Sequence, residues 1–215
     1  MAAGDLGATD IFSLGAGFNA QSSTLNYNRD ITEVMSSVGD IACQTAFNTV
    51  TTVTAEYEVC GSVTLSIEVG DEVGGYLVTS VEASHSAGQA PTVTIEGLAW
   101  PSATVATRTY SISQALNIAS VASELTTPSS GIEATEVTHR WEVEVTQSIG
   151  SDGEVAYAVS RTPKYTYTES GLGTLSAPGP TITGMKLESY DNSDSNQETD
   201  TYTCTFTEGL TSVSA

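Results

Sequence analysis

Basic residues are scarce in this sequence. Six Lys and Arg stand against 26 Asp and Glu, for a formal charge of −20. Such a surface repels phosphate backbones, which excludes a protein that grips nucleic acid through a patch of Lys and Arg. Bulky aromatics are few as well: Phe and Trp together number six, whereas Thr and Ser number 59. Strand-compatible surface is therefore plentiful and large core-forming rings are not. A modest core has to hold a chain of 215 residues, the first sign that neighbouring subunits complete the burial.

Cysteine is too sparse and too scattered for a disulfide framework or a metal knuckle. Cys43, Cys60 and Cys204 cannot all pair within one chain, and no C-x-x-C spacing occurs. The opening stretch MAAGDLGATDIFSLGAG has neither a basic leader nor a continuous apolar run, so synthesis in a cytoplasm with reduced thiols is expected. No segment approaches the ~20 apolar residues of a membrane helix, and no membrane anchor is expected.

What is present is period-two alternation. From Thr49 onward Val53, Ala55, Tyr57, Val59, Val63, Leu65, Ile67 and Val69 fall on one face, while Thr54, Glu56, Glu58, Thr64, Ser66 and Glu68 fall on the other. This reads as a long strand with one wet face, bulged or broken at Gly61. The acidic turn VGDEVGGY then reverses the chain through Gly70, Gly74 and Gly75 into YLVTSVEAS, and TVTIEGL follows. Residues 52–98 are thus expected to form a three-stranded antiparallel meander, with Tyr57, Val59, Leu65, Ile67, Val78, Val93 and Ile95 buried. Alternation resumes in VTHRWEVEVTQS, where Val137, His139, Trp141, Val143 and Val145 point one way, and continues through VAYAVSRT and KYTYTES. TITGMKLESY and TYTCTFTEGL form a terminal hairpin around the polar tip DNSDSNQETD.

Three segments depart from this pattern. Residues 1–30, rich in Gly, Ala, Ser and Asn, read as an N-terminal arm. In DITEVMSSVGDIACQTAF, residues 30–47, Asp30 and Glu33 resemble a helix cap, and Ile31, Val34, Met35 and Val38 keep helical spacing. A short helix is expected there, and a second helical pattern lies in YSISQALNIASVASEL. The expected organisation is an arm over 1–30 and a single β-rich domain over 31–215. That domain comprises the meander 52–98, a variable region 99–136 and C-terminal strands over 137–210. Its fold class is mainly β: an antiparallel β-sandwich or barrel with one short helix, a long arm and long loops.

No constellation for chemistry emerges. His85 and His139 stand 54 positions apart, and no G-x-S-x-G elbow or G-x-G-x-x-G loop is present. The acids of DNSDSNQETD do not follow the spacing of a calcium loop. Glu142 and Glu144 are i, i+2 acids on a wet strand face rather than a glycosidase pair. Catalytic, cofactor-binding and metal-ligating residues are therefore expected to be none, with no cofactor and no enzymatic activity.

TVTTVTAEYEVCGS followed by IEVGDEVGGYLVTSVEASHSAGQAPTVTIEGL, with GMKLESYDNSDSNQETDTYTCTFTEGL as a terminal pair, resembles the tail tube (major tail) proteins of bacteriophages. The resemblance implies a homo-oligomer built of stacked, often hexameric rings, in contact with other tail or virion proteins, around a channel through which DNA passes without specific binding. It places the protein in the virion. An acidic lumen suits such a conduit, because like charge keeps the phosphate backbone from adhering. Glu56, Glu58, Glu68, Glu142 and Glu144 are the candidate lumen-facing acids. The alternatives are a capsid decoration protein or other virion protein, or a receptor-binding or adhesin module presenting aromatics such as Trp100 or Trp141.

Overall fold

The computed structural model describes residues 10–108, 110–111, 121, 123–126, 130–175, 181–182, 184–194, 200–209 and 211–212. The expected mainly β, antiparallel class is the one observed. The strands are β1 (Phe18–Met35), β2 (Ile41–Val59), β3 (Glu72–Val73), β4 (Tyr76–Ser86), β5 (Thr92–Ala99), β6 (Thr104–Ala106), β7 (Tyr110–Ser111), β8 (Ala134–Ile149), β9 (Val155–Leu172), β10 (Lys186–Ser193), β11 (Thr201–Gly209) and β12 (Thr211–Ser212). Ten of them form one sheet in the order β1-β2-β5-β4-β8-β9-β11-β10, with β3 beside β4 and β6 beside β9; β7 and β12 pair separately. The end strands β1 and β10 do not pair with each other, so the sheet stays open.

Thr, Val, Tyr and Glu in strict alternation produce rows that cross the whole sheet. One dry row runs Ala20, Tyr57, Val93, Ala83, His139, Tyr167, Phe206, Leu187, each opposite the next. Beside it a wet row runs Asn19, Glu58, Thr92, Ser84, Thr138, Thr168, Thr205, Ser189. A one-residue slip of any strand would put Thr into the core and Val or Tyr into water, so register is strongly specified. All seven meander residues expected in the core are buried, Tyr57, Val78, Val93 and Ile95 completely.

The chain entering the sheet is pinned to this core. Phe12 is buried, its backbone N–H donates to the Tyr57 hydroxyl at 3.3 Å, and that hydroxyl donates to Asp10 Oδ1 at 3.0 Å. Of the expected arm, residues 1–9 lie outside the described residues, and from Phe18 onward the chain is strand β1 rather than an arm.

Three further expectations are corrected. Residues 30–47 are not a helix. They are the end of β1, a turn over Ser36–Asp40 with Gly39 at φ +90°, and the start of β2. The spacing of Ile31, Val34, Met35 and Val38 fits a helix by coincidence. The β-branched Ile31, Thr32, Val34 and Thr45 favour a pleated ribbon, and the Gly39 turn lets two such runs pair. The meander is likewise not sequential: β2 pairs with β5, and β4 lies beyond β5. The reversal is shorter than read, since only Glu72–Val73 pairs back on Tyr76–Leu77, across Gly74 and Gly75 at φ +60° and +83°. This is the left-handed pair that a two-residue turn with right-handed strand twist demands. Residues 61–71 are not strand, although Leu65, Ile67 and Val69 still alternate into the core. The helical pattern in 110–125 falls mostly outside the described residues; Val121, Ser123 and Glu124 are helical.

Candidate functional site

The most distinctive part of the surface is the ribbon made by β1 and β2. β5 pairs with β2 only over Thr51–Glu58, so the ribbon continues alone from Asn28 to Val50. At ~3.3 Å per residue it projects on the order of 25 Å. Ten large apolar side chains are exposed among the described residues, and seven of them, Leu25, Tyr27, Ile31, Val34, Met35, Val38 and Ile41, lie on this ribbon at 49–81 % exposure. A ribbon of two strands has little stability of its own in water. This one continues the dry face of β2 beyond the point where the core ends: Leu25 lies opposite buried Val53, and Tyr27 opposite Thr51.

The base of the ribbon is fastened to the turn between β8 and β9. Asn48, at φ +52° where two residues of β2 face one of β1, donates its backbone N–H to Gly153 O at 2.9 Å. The backbone N–H and hydroxyl of Thr49 donate to Glu154 at 2.9 and 3.2 Å. Ile149 and Tyr157, also exposed, belong to the strand ends that flank this turn. Nine of the ten exposed apolar side chains thus sit on the ribbon or beside the turn that anchors it.

The proposed lumen acids divide into two groups. Glu56 and Glu58 occupy the wet face of β2, accepting hydrogen bonds from Ser22 (3.3 Å) and Gln21 (3.0 Å). Glu142 lies on the same face of β8, opposite Ser80 and Lys164, with Arg140 Nε at 3.2 Å. Glu82, Glu96 and Glu136 join them through the register; the even positions of β4, β5 and β8 were readable in the alternation but were not singled out. Glu144 is exposed opposite Arg161, past the irregularity at Thr162. With Glu142, Val143, Thr162 and Lys164 it lines a cavity of about 310 Å³. Glu68 stands apart, in the non-strand segment before β3, where burial and then the neighbouring Asp71 raise its pKa.

Under the sheet lies a polar centre the sequence reading missed. His139 is 8 % exposed; its Nδ1 meets the Tyr165 hydroxyl and its Nε2 meets Glu124 Oε2 at 2.6 Å. Glu169, fully buried, accepts the hydroxyls of Tyr167 and Tyr202, both at 2.6 Å, and that of Ser130. Burial pushes the Tyr165 phenol well above its ordinary value, with Glu124 adding to it, and burial pushes the Cys204 thiol up to about 12, with Glu169 adding to it. These groups hold one another inside packed core, where a substrate would have to displace Phe206 and Trp141; they tie Glu124 and Ser130 onto the sheet. The residue type was legible: Tyr165, Tyr167 and Glu169 alternate in KYTYTES, which places Glu169 on the dry face.

The remaining named residues do not converge. His85 lies in β4 opposite Val137 rather than in a loop, with Nε2 2.9 Å from Gln89 O. Cys43 and Cys60 are exposed, Cys204 is buried, and all are free. Among the described residues no cluster of three or more His, Cys, Asp or Glu could hold a metal ion, and no helix is long and apolar enough to cross a membrane. Trp100 and Trp141 are 8 % and 4 % exposed, which removes them as ligand-stacking aromatics of an adhesin. No protein-family model matches the chain, and no curated protein matches it.

Proposed function

We propose that this chain is a structural subunit that assembles with copies of itself, in the form of a phage tail tube of stacked rings around a channel for DNA. The observation that carries the reading is the projecting ribbon. Seven large apolar side chains, each about half exposed or more, offer on the order of 700 Å² of apolar surface, comparable with the ~800 Å² each partner contributes to a stable interface. Soluble monomers rarely leave such a surface bare.

The polar face supports the conduit. Glu56, Glu58, Glu82, Glu96, Glu136 and Glu142 stand among rows of Thr and Ser, and a wall of this kind turned inward repels the phosphate backbone rather than trapping it. Such a role uses no catalysis, cofactor or metal, and its setting is the virion, in contact with other tail proteins. Negative-stain microscopy of the purified full chain tests it: rings or tubes with a central channel are expected, and a protein that remains monomeric at high concentration refutes the reading.

A further inference from the structure

From the pattern of β1 we infer that two copies of this chain join edge to edge through β1, antiparallel, about a two-fold axis at Ile31. Among the described residues no strand pairs with the outer edge of β1, which leaves up to 18 residues of backbone donors and acceptors as a template for another strand. From Ser22 onward the irregularities of the β1–β2 pair place their extra residue on β2. Leu25, Tyr27, Arg29, Ile31, Glu33 and Met35 therefore share one face of β1.

These residues read nearly the same in both directions from Ile31. Antiparallel pairing centred there sets Arg29 of one copy opposite Glu33 of the other, twice, and Tyr27 opposite Met35, twice, with Ile31 against itself. Opposite charges and large apolar groups face each other at every odd position from 27 to 35, the arrangement that stabilises cross-strand pairs. Within one copy Arg29 makes no ion pair among the described residues, and the Glu33 carboxylate accepts only a neutral donor, Gln44 Nε2 at 2.6 Å. A register shifted by two residues along either strand puts Arg29 opposite Ile31 or Met35 and leaves both charges without a counterpart. A self-complementary patch of this kind defines an isologous contact.

The inference rests on the reading of the chain as a self-assembling subunit and adds one specific contact to it. Two-fold pairing closes on itself, so it joins subunits of two rings that meet with opposite sense, and the head-to-tail contact within a ring uses another surface, such as the free edge of β10.

The test uses the full chain with Cys43→Ser and Cys60→Ser as background. Under mild oxidation Ile31→Cys is expected to cross-link to itself. Tyr27→Cys is expected to cross-link only when mixed with Met35→Cys, and Thr32→Cys, which faces Asp30 of the other copy, should not cross-link. In sedimentation equilibrium Arg29→Glu should weaken the dimer at least about tenfold, since it sets like charges opposite each other. The double variant Arg29→Glu/Glu33→Arg should restore it to within about threefold. All of these positions are exposed, and circular dichroism verifies the fold. A chain that associates, but whose Ile31→Cys variant stays uncross-linked and whose charge swap restores nothing, overturns this contact and leaves the assembly reading standing. A chain that stays monomeric overturns both.

Discussion

Glu154 Oε2 accepts the backbone N–H of Thr49 at 2.9 Å, although the two residues lie 105 positions apart. This bond, its companion from the Thr49 hydroxyl and the Asn48 N–H to Gly153 O link meet at the point where the β1–β2 ribbon leaves the sheet. They decide how the ribbon projects, because among the described residues no strand other than β1 pairs with β2 beyond Thr51.

Glu154→Ala should free this base. Thr49 is buried, so losing its acceptor leaves an unsatisfied donor, a cost of about 1–3 kcal/mol. Hydrogen exchange should speed up across residues 28–50 while the amides of β4, β5 and β8 keep their protection. Unchanged exchange in the ribbon would show that its direction is set elsewhere.

Glu169→Ala should be among the most damaging single changes. It removes the buried carboxylate that accepts the hydroxyls of Tyr167, Tyr202 and Ser130 and opens a cavity, together about 3 kcal/mol or more. The expected outcome is a lower midpoint in urea unfolding. A midpoint within experimental error of the unmodified protein would mean that the cluster is incidental.

Stability should fall in alkali. Burial, reinforced by the Asp10 carboxylate that its hydroxyl bonds, raises the Tyr57 phenol to about 12, against ~10 in an unfolded chain. The folded state therefore holds this proton more tightly than the unfolded state. The contribution is complete below pH ~10 and is lost as pH rises toward about 12. Tyr57→Phe should remove this part of the pH dependence and also lower stability at neutral pH by roughly 1 kcal/mol, through the lost bonds to Asp10 and Phe12. An identical alkaline slope in the Phe variant would contradict the assignment.

If the wet face lines a channel, replacing Glu56 and Glu142 by Lys should leave assembly intact and slow DNA delivery by the particle. Screening over ~8 Å means that only charges close to the channel surface act on the passing backbone. Normal delivery by the reversed particles would remove the conduit from the account while leaving the subunit role in place.

The buried face was legible because Thr and Glu alternate with Val, Tyr and Ile so regularly; Tyr57, Val93, Ile95, Val137 and Trp141 could be placed without structure. Strand order was not, because alternation states which way a side chain faces and not which neighbour it meets. That β2 passes over β4 to pair with β5 depends on the path of residues 60–71. The ribbon was misread for a different reason. Ile31, Val34, Met35 and Val38 satisfy two periods at once, and the test that separates them is whether a second run pairs with the first, as Ala46, Thr45, Gln44 and Cys43 do with Ile31, Thr32, Glu33 and Val34. The candidate acids were half legible: Glu56, Glu58 and Glu142 share the wet face as alternation requires. Glu68 left it because the strand ends at Val59.

The central claim, that the ribbon exists to meet other copies, is tested most directly by native mass spectrometry of the purified chain beside its Tyr27→Asp/Ile31→Asp variant. Both side chains are more than half exposed, so the variant should fold, with an unchanged β signal in circular dichroism. The account predicts assemblies of many subunits for the unmodified chain and smaller ones for the variant, which loses the ribbon contact and keeps the head-to-tail surface. Monomers in both, or equal assemblies in both, would contradict it.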